Sequence, residues 1–213
     1  MREIIGRTLL AVCLLCVFVA CDKDEDTPVN PSPTGSLTIT GTVQFKKNIS
    51  VPSSAILSGV WVVSSGSPDY AYMFGRGTVN FGAGTFSITF DNPPPTEALN
   101  SYAPSRDLPP LGVGAIVLGD FASANPHKMA DDEGQHFYGA VSNIGIIYIG
   151  GDPAKYNDTS SSTDWPKDFP SGYGVGEGVE MEQTFDIFVP IPLRSFILTI
   201  TDDPADITFP NWT

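Results

Sequence analysis

Two stretches hold the side chains most able to do chemistry. In HKMADDEGQH, His127 and His136 bracket Asp131, Asp132 and Glu133. Imidazole and carboxylate in one loop can hold zinc or another divalent ion. Histidines nine positions apart fit no standard ligand spacing, so the expectation is a solvated loop with no metal and no cofactor. In GDPAKYNDTSSSTDWPKDFPSGYGVGEG, Tyr156, Trp165, Phe169 and Tyr173 sit among Asn, Asp, Ser and Gly. Flat aromatic faces beside hydrogen-bonding groups can hold a sugar or a peptide. The same rings could instead fold down as plugs on the edge of a sheet. Asp152, Asn157, Asp158, Asp164 and Asp168 lack the glycine and terminal glutamate of an EF-hand loop. No GxSxG elbow, Gly-rich phosphate loop or HExxH is present, which removes most hydrolase templates. The chain is therefore expected not to be an enzyme.

A third reactive group stands near the start. Leu9 to Ala20 is an unbroken run of twelve apolar residues behind Arg2 and Arg7, and Cys21 follows it directly. The run is too short to span a bilayer, which takes roughly 20 apolar residues, but it has the length of a secretory signal core. An ordinary secretory cut before Cys21 would want a small residue where Phe18 stands. Phe18, Val19, Ala20 and Cys21 instead resemble a bacterial lipobox, with Phe18 where Leu is usual. Cys13 and Cys16 fit less well, because Val12 and Leu15 precede them. The resemblance implies a signal peptide over residues 1–20 and lipidation of Cys21, which would carry two or three acyl chains. At about 0.8 kcal/mol for each buried methylene, two chains already give stable anchoring.

Residues 21–35 then read as the lipidated cysteine and a flexible tether. DKDEDTPVNPSPTG is too polar and proline-rich to bury itself, and its fourteen residues reach at most about 50 Å. Asp22, Lys23, Asp24, Glu25 and Asp26 resemble the acidic export signal of lipoproteins carried to the outer face of the outer membrane in some Gram-negative bacteria. In others an aspartate directly after the cysteine means retention at the inner membrane. A solvated charge run that only extends the tether would look the same. All three cysteines lie in or at the end of the signal, so none is left to form a disulfide in the domain. The net charge of −13 becomes −14 once Arg2, Glu3 and Arg7 are removed. That balance argues against nucleic acid and against electrostatic adhesion to anionic lipid.

The elements that must position these groups lie in residues 36–213, enough for one well-buried domain. In SLTITGTVQF, Leu37, Ile39, Gly41, Val43 and Phe45 share one face and Thr38, Thr40, Thr42 and Gln44 the other. This period of two predicts a half-buried strand. TFSITFD and SFILTIT alternate in the same way. GVWVVSS, GVGAIVLGDF, IGIIYIG and FDIFVPI are apolar on both faces, as central strands are, and YAYMFG, RGTVNF and FYGAVS are shorter strands. Trp61 is expected in the core. No stretch of the mature chain keeps a helical period over three turns. The expectation is an all-β fold, an antiparallel two-sheet β-sandwich with three long loops at Asn92–Pro110, Ala122–Gln135 and Gly151–Gly178. Loops of that length are usually functional or disordered.

ITGTVQF, LSGVWVVSS and GAGTFSITFDNPPP resemble the transthyretin-like and carboxypeptidase-regulatory-like sandwich modules of secreted bacterial proteins. The likeness covers Ile39 to Pro95 and implies a fold, with no activity attached. With the lipobox and the acidic cluster after Cys21, the resemblances imply an outer-membrane, surface-exposed lipoprotein with a non-enzymatic binding or structural role. Its partners would be the membrane, through the anchor, and an envelope protein or a glycan. A glycan-binding accessory lipoprotein of a polysaccharide-uptake system is the alternative.

Overall fold

A computed structural model describes residues 36–62, 71–99, 108–120, 127–129, 136–157, 168–179 and 187–207. The strands are β1 (Leu37–Phe45), β2 (Ile56–Val62), β3 (Ala71–Phe74), β4 (Arg76–Asn80), β5 (Thr85–Phe90), β6 (Leu111–Asp120), β7 (His127–Met129), β8 (His136–Val141), β9 (Ile144–Ile149), β10 (Gly172–Val179), β11 (Ile187–Pro190) and β12 (Phe196–Ile200). Two single-turn helices interrupt them, α1 (Thr96–Leu99) and α2 (Ala154–Asn157). The fold is all-β, as expected.

The hydrogen bonding is less simple than two separate antiparallel sheets. All twelve strands belong to one network with the main order β11-β10-β9-β6-β8-β12-β1-β5-β4, from which β2, β3 and β7 branch at β6. The sheet is not closed into a barrel. It is mixed, because β1 and β12, the first and last of the described strands, run parallel from Gly41↔Phe196 to Phe45↔Ile200, whereas the other described pairings are antiparallel. The two layers of a sandwich are formed by this one network folding over on itself.

The fold-over has a visible origin. β8 and β9 lie along the same edge of β6, and between the pairs Val117↔Ala140 and Gly114↔Ile146 the β6 chain moves three residues while its partner moves six. Asn143 sits in the extra length with φ 58°, a left-handed conformation that Asn tolerates better than most residues. Before this bulge β8 pairs with β12 and leads to β1, β5 and β4; after it β9 pairs with β10 and β11. A second redirection occurs at Gly75, φ +106°, where the chain passes from pairing with β2 to pairing with β5. A Cβ at Gly75 would also strike the Phe90 ring.

Between the layers lies the main core. Leu37, Ile39, Phe86, Ile88 and Phe90 come from one layer, and Ile144, Ile146, Tyr173 and Val175 from the other, with Trp61 among them. Trp61 is fully buried, as the sequence led us to expect. Phe90 meets it edge to face at 6.0 Å, and the Tyr173 ring lies 5.6 Å from Phe90 and 6.1 Å from Trp61. Strands β5 and β10 share no hydrogen bonds, so the contact of Phe90 with Tyr173 is one between layers, whereas Trp61 and Tyr173 are linked through β6 and β9 within one layer. A second, smaller core covers the far side of β6 and β9, where Leu111, Val113, Ile147 and Ile149 pack with Tyr156 and Phe169.

Candidate functional site

The described rings of the aromatic loop read from the sequence do not form an exposed platform. Tyr156, Phe169 and Tyr173 are all buried, at 8%, 2% and 2% exposure. Tyr173 belongs to β10 and enters the main core, while Tyr156 and Phe169 plug the second one. The physical reason is apolar supply: β6 and β9 present isoleucine, leucine and valine on both faces, and the outer face needs a cover. Trp165 lies outside the described residues.

The third expected loop is therefore shorter than expected, since β10 occupies its end. Glycines at 172, 174, 176 and 178 fill one face of β10, and that is why a strand was not read there. At Gly174 a Cβ would approach the Phe169 ring to 2.9 Å, so the missing side chain is what lets the plug lie flat. The other two expected loops contain α1 and β7 respectively.

Two of these tyrosines also act as staples. The Tyr156 hydroxyl donates to the Pro109 carbonyl and the Tyr173 hydroxyl to the Asn92 carbonyl. The segment between β5 and β6 is thus held at both ends by rings from the segment after β9. Burial pushes the Tyr156 phenol up to about 12, and burial, with Tyr148 and Asp91 nearby, pushes that of Tyr173 up further. Both keep their proton, and the donor role, at any ordinary pH.

The metal candidates are not brought together by anything described. His127 pairs opposite Met73 in β7, and His136 pairs opposite Asp120 in β8 and is exposed. Asp131, Asp132 and Glu133 lie outside the described residues, as do Cys21 and Asp22, Lys23, Asp24, Glu25 and Asp26. Among the described residues no group of three His, Cys, Asp or Glu is placed to hold a metal ion, and no helix is long and apolar enough to cross a membrane.

What the sequence reading missed is a groove of about 410 Å³ on the outer face, where β12 meets β1 and the end of β8. Gln44, Ser142, Arg194, Ser195, Ile197 and Thr199 are among its lining residues. Ile197 stands on the outward side of β12 with 49% of its surface exposed, an apolar ledge among hydroxyls and an amide. At one end Glu177 receives Asn143 Nδ2 at 3.1 Å on one carboxylate oxygen and Arg194 Nη2 at 3.3 Å on the other. The residue that makes the bulge thus also ties the β10 layer to the rim of the groove. The signal that could have found it was Ile197, an isoleucine on the polar side of an alternating strand.

The groove continues into a polar sheet face. Thr38 stands opposite Thr89, Thr40 opposite Ser87 and Thr42 opposite Thr85, with the Thr38 and Thr89 hydroxyls 3.1 Å apart. Arg76, Thr78 and Asn80 of β4 extend these rows on one side. On the other, Ile197 lies opposite Thr42 and Thr199 opposite Gln44. Eight of these twelve outward residues carry a hydroxyl, and none is Asp or Glu.

Acidic side chains appear instead at the end of the sheet. Asp206 accepts from the Thr201 hydroxyl at 2.6 Å and pairs with Lys46 at 3.0 Å. Those two contacts, in that order, hold its carboxyl low, at about 2. Lys47 sits between Asp202, Asp203 and Asp206. These pairs fasten the segment after β12 to the end of β1. No family model, no curated protein and no solved structure matches this chain.

Proposed function

We propose that this chain is a lipoprotein fixed by Cys21 to the outer membrane, with its β domain on the cell-surface side, where it binds or scaffolds and carries out no catalysis. The observation that carries the reading is the junction at residues 17–26. An apolar run of signal length ends on a cysteine and gives way at once to a lysine followed by acids. A chain that must stay attached without a spanning helix needs acyl chains to supply the apolar burial. The stretch from Asp22 to Gly35 gives the domain reach away from the bilayer. The absence of any nucleophile, phosphate-loop or metalloprotease motif from the sequence supports a binding or structural role.

Labelling with a clickable fatty acid tests the anchor. Wild type should be labelled and Cys21→Ala should not; equal labelling of both overturns the proposal. Replacing Asp22, Lys23, Asp24, Glu25 and Asp26 by alanine tests the destination. The variant should remain labelled yet resist protease added to intact cells, and unchanged digestion would reduce the acidic cluster to tether alone.

A further inference from the structure

We infer that the groove beside Ile197, together with the hydroxyl-bearing face of β4, β5, β1 and β12, is a binding surface for an uncharged polyhydroxylated polymer, that is, a neutral glycan. The inference rests on the binding role proposed above and names its ligand class. It also moves the recognition site away from the aromatic loop, whose described rings are buried.

Three observations narrow the ligand. The first is charge. The chain has 24 Asp and Glu against 11 Lys and Arg, yet no carboxylate stands on the outward side of these four strands. A cationic ligand finds no partner there. An anionic one meets the repulsion of the whole chain; Arg194 is already paired with Glu177, and Arg76, at the β4 margin of the face, is the one other cation among these outward residues. The second is the backbone. β5, β1 and β12 each pair with a neighbour on both sides, so no strand edge is open along them for an extended peptide to extend the sheet. On these three strands recognition must come from side chains; β4 is the end of the order and the one edge of the face. The third is the chemistry of those side chains. Hydroxyls and amides both donate and accept, which matches a ligand that presents hydroxyls in every direction, and Ile197 offers an apolar surface for the C–H face of a sugar ring. The groove gives one sugar unit a shallow seat, and the face beyond it extends the contact for a longer chain. Threonine also populates solvated strands simply because its branched side chain suits them; a merely solvated face would share the composition and bind nothing.

The test uses the mature lipidated protein in detergent, run in native gels containing starch, galactomannan, xylan or mixed-linkage β-glucan, with alginate as the anionic comparison. At least one neutral polymer should retard it. Ile197→Asp and Thr42→Glu place charge on outward, exposed positions and should weaken retardation at least tenfold with the melting temperature unchanged, while Trp165→Ala should leave it intact. Absence of retardation by every neutral polymer overturns the inference. So does retardation by alginate alone, retardation indifferent to Ile197→Asp and Thr42→Glu, or loss on Trp165→Ala alone. Fatty-acid labelling of the same preparation reports the anchor independently, so a failed glycan test leaves the lipoprotein reading standing.

Discussion

The β1–β5 side of the molecule and the β6–β9 side bury their strands differently. In β1, Leu37, Ile39 and Gly41 face the core while Thr38, Thr40 and Thr42 face water. In β9, Ile144 and Ile146 face the same core, but Ile147 and Ile149 on the opposite side are equally buried, under Tyr156 and Phe169. One layer is half of a sandwich with a wet exterior. The other is a middle layer, covered by residues that arrive from long connections. The connections thus differ in kind from free loops: the segment after β9 is a second wall of the domain. An exposed binding surface belongs on the layer whose outward residues stand in water.

The sharpest way to break this contrast is to remove a ring from the covered side. Tyr173→Ala deletes a buried aromatic that touches Trp61, Phe90 and Tyr148. It should cost about 3–5 kcal/mol, a drop in melting temperature of roughly 6 to 20 °C for a domain of this size. A melt within a few degrees of wild type would mean that Tyr173 is no wall at all.

A smaller effect should come from the hydroxyl staple alone. Tyr156→Phe keeps the plug but leaves the Pro109 carbonyl without its donor, a loss of about 1–3 kcal/mol readable as a lower urea midpoint. The same group sets a pH dependence. Its folded value is raised from the ordinary 10.0 to about 12. The stability it contributes is therefore complete below pH 10 and disappears as pH rises toward 12. Wild type should lose stability across that interval, and Tyr156→Phe should lose less of it. Equal alkaline slopes would show that the staple does not couple to folding.

The least effect is expected on the open layer. Thr40→Ala, outward on β1, should change stability by no more than about 0.5 kcal/mol, as read by denaturant midpoint. A loss of several kcal/mol there would mean that the β1 exterior is covered after all, and would remove the basis for a ligand on it.

Much of this architecture was legible from local pattern. The alternation of SLTITGTVQF and TFSITF placed β1 and β5 with the correct face inward, because a period of two fixes the side each residue takes once one is placed; at the end of β1 that face leaves the core, and Phe45 is 50% exposed. IGIIYIG and GVGAIVLGDF were legible as strands buried on both sides. What covers them was not, since Tyr156 and Phe169 reach their sites through contacts distant in sequence. β10 was hidden because its glycines remove half of the alternation. The parallel pairing of β1 with β12 could not be read either. Pairing between the two ends of a chain depends on where every intervening strand goes, and no local residue type records it. For the same reason the groove, assembled from β1, β12 and the end of β8, was invisible apart from the misplaced isoleucine at 197.

That pairing of first and last strands has a mechanical meaning. β1 is gripped on one side by β5 and on the other by β12. A pull on the chain at Ser36 acts along the length of β1, at right angles to its hydrogen bonds. Bonds loaded in this way share the force and must slip together, whereas a strand at a free edge would unzip one bond at a time. A domain held in flowing medium by its N-terminal end alone would therefore meet drag at the strand best placed to resist it.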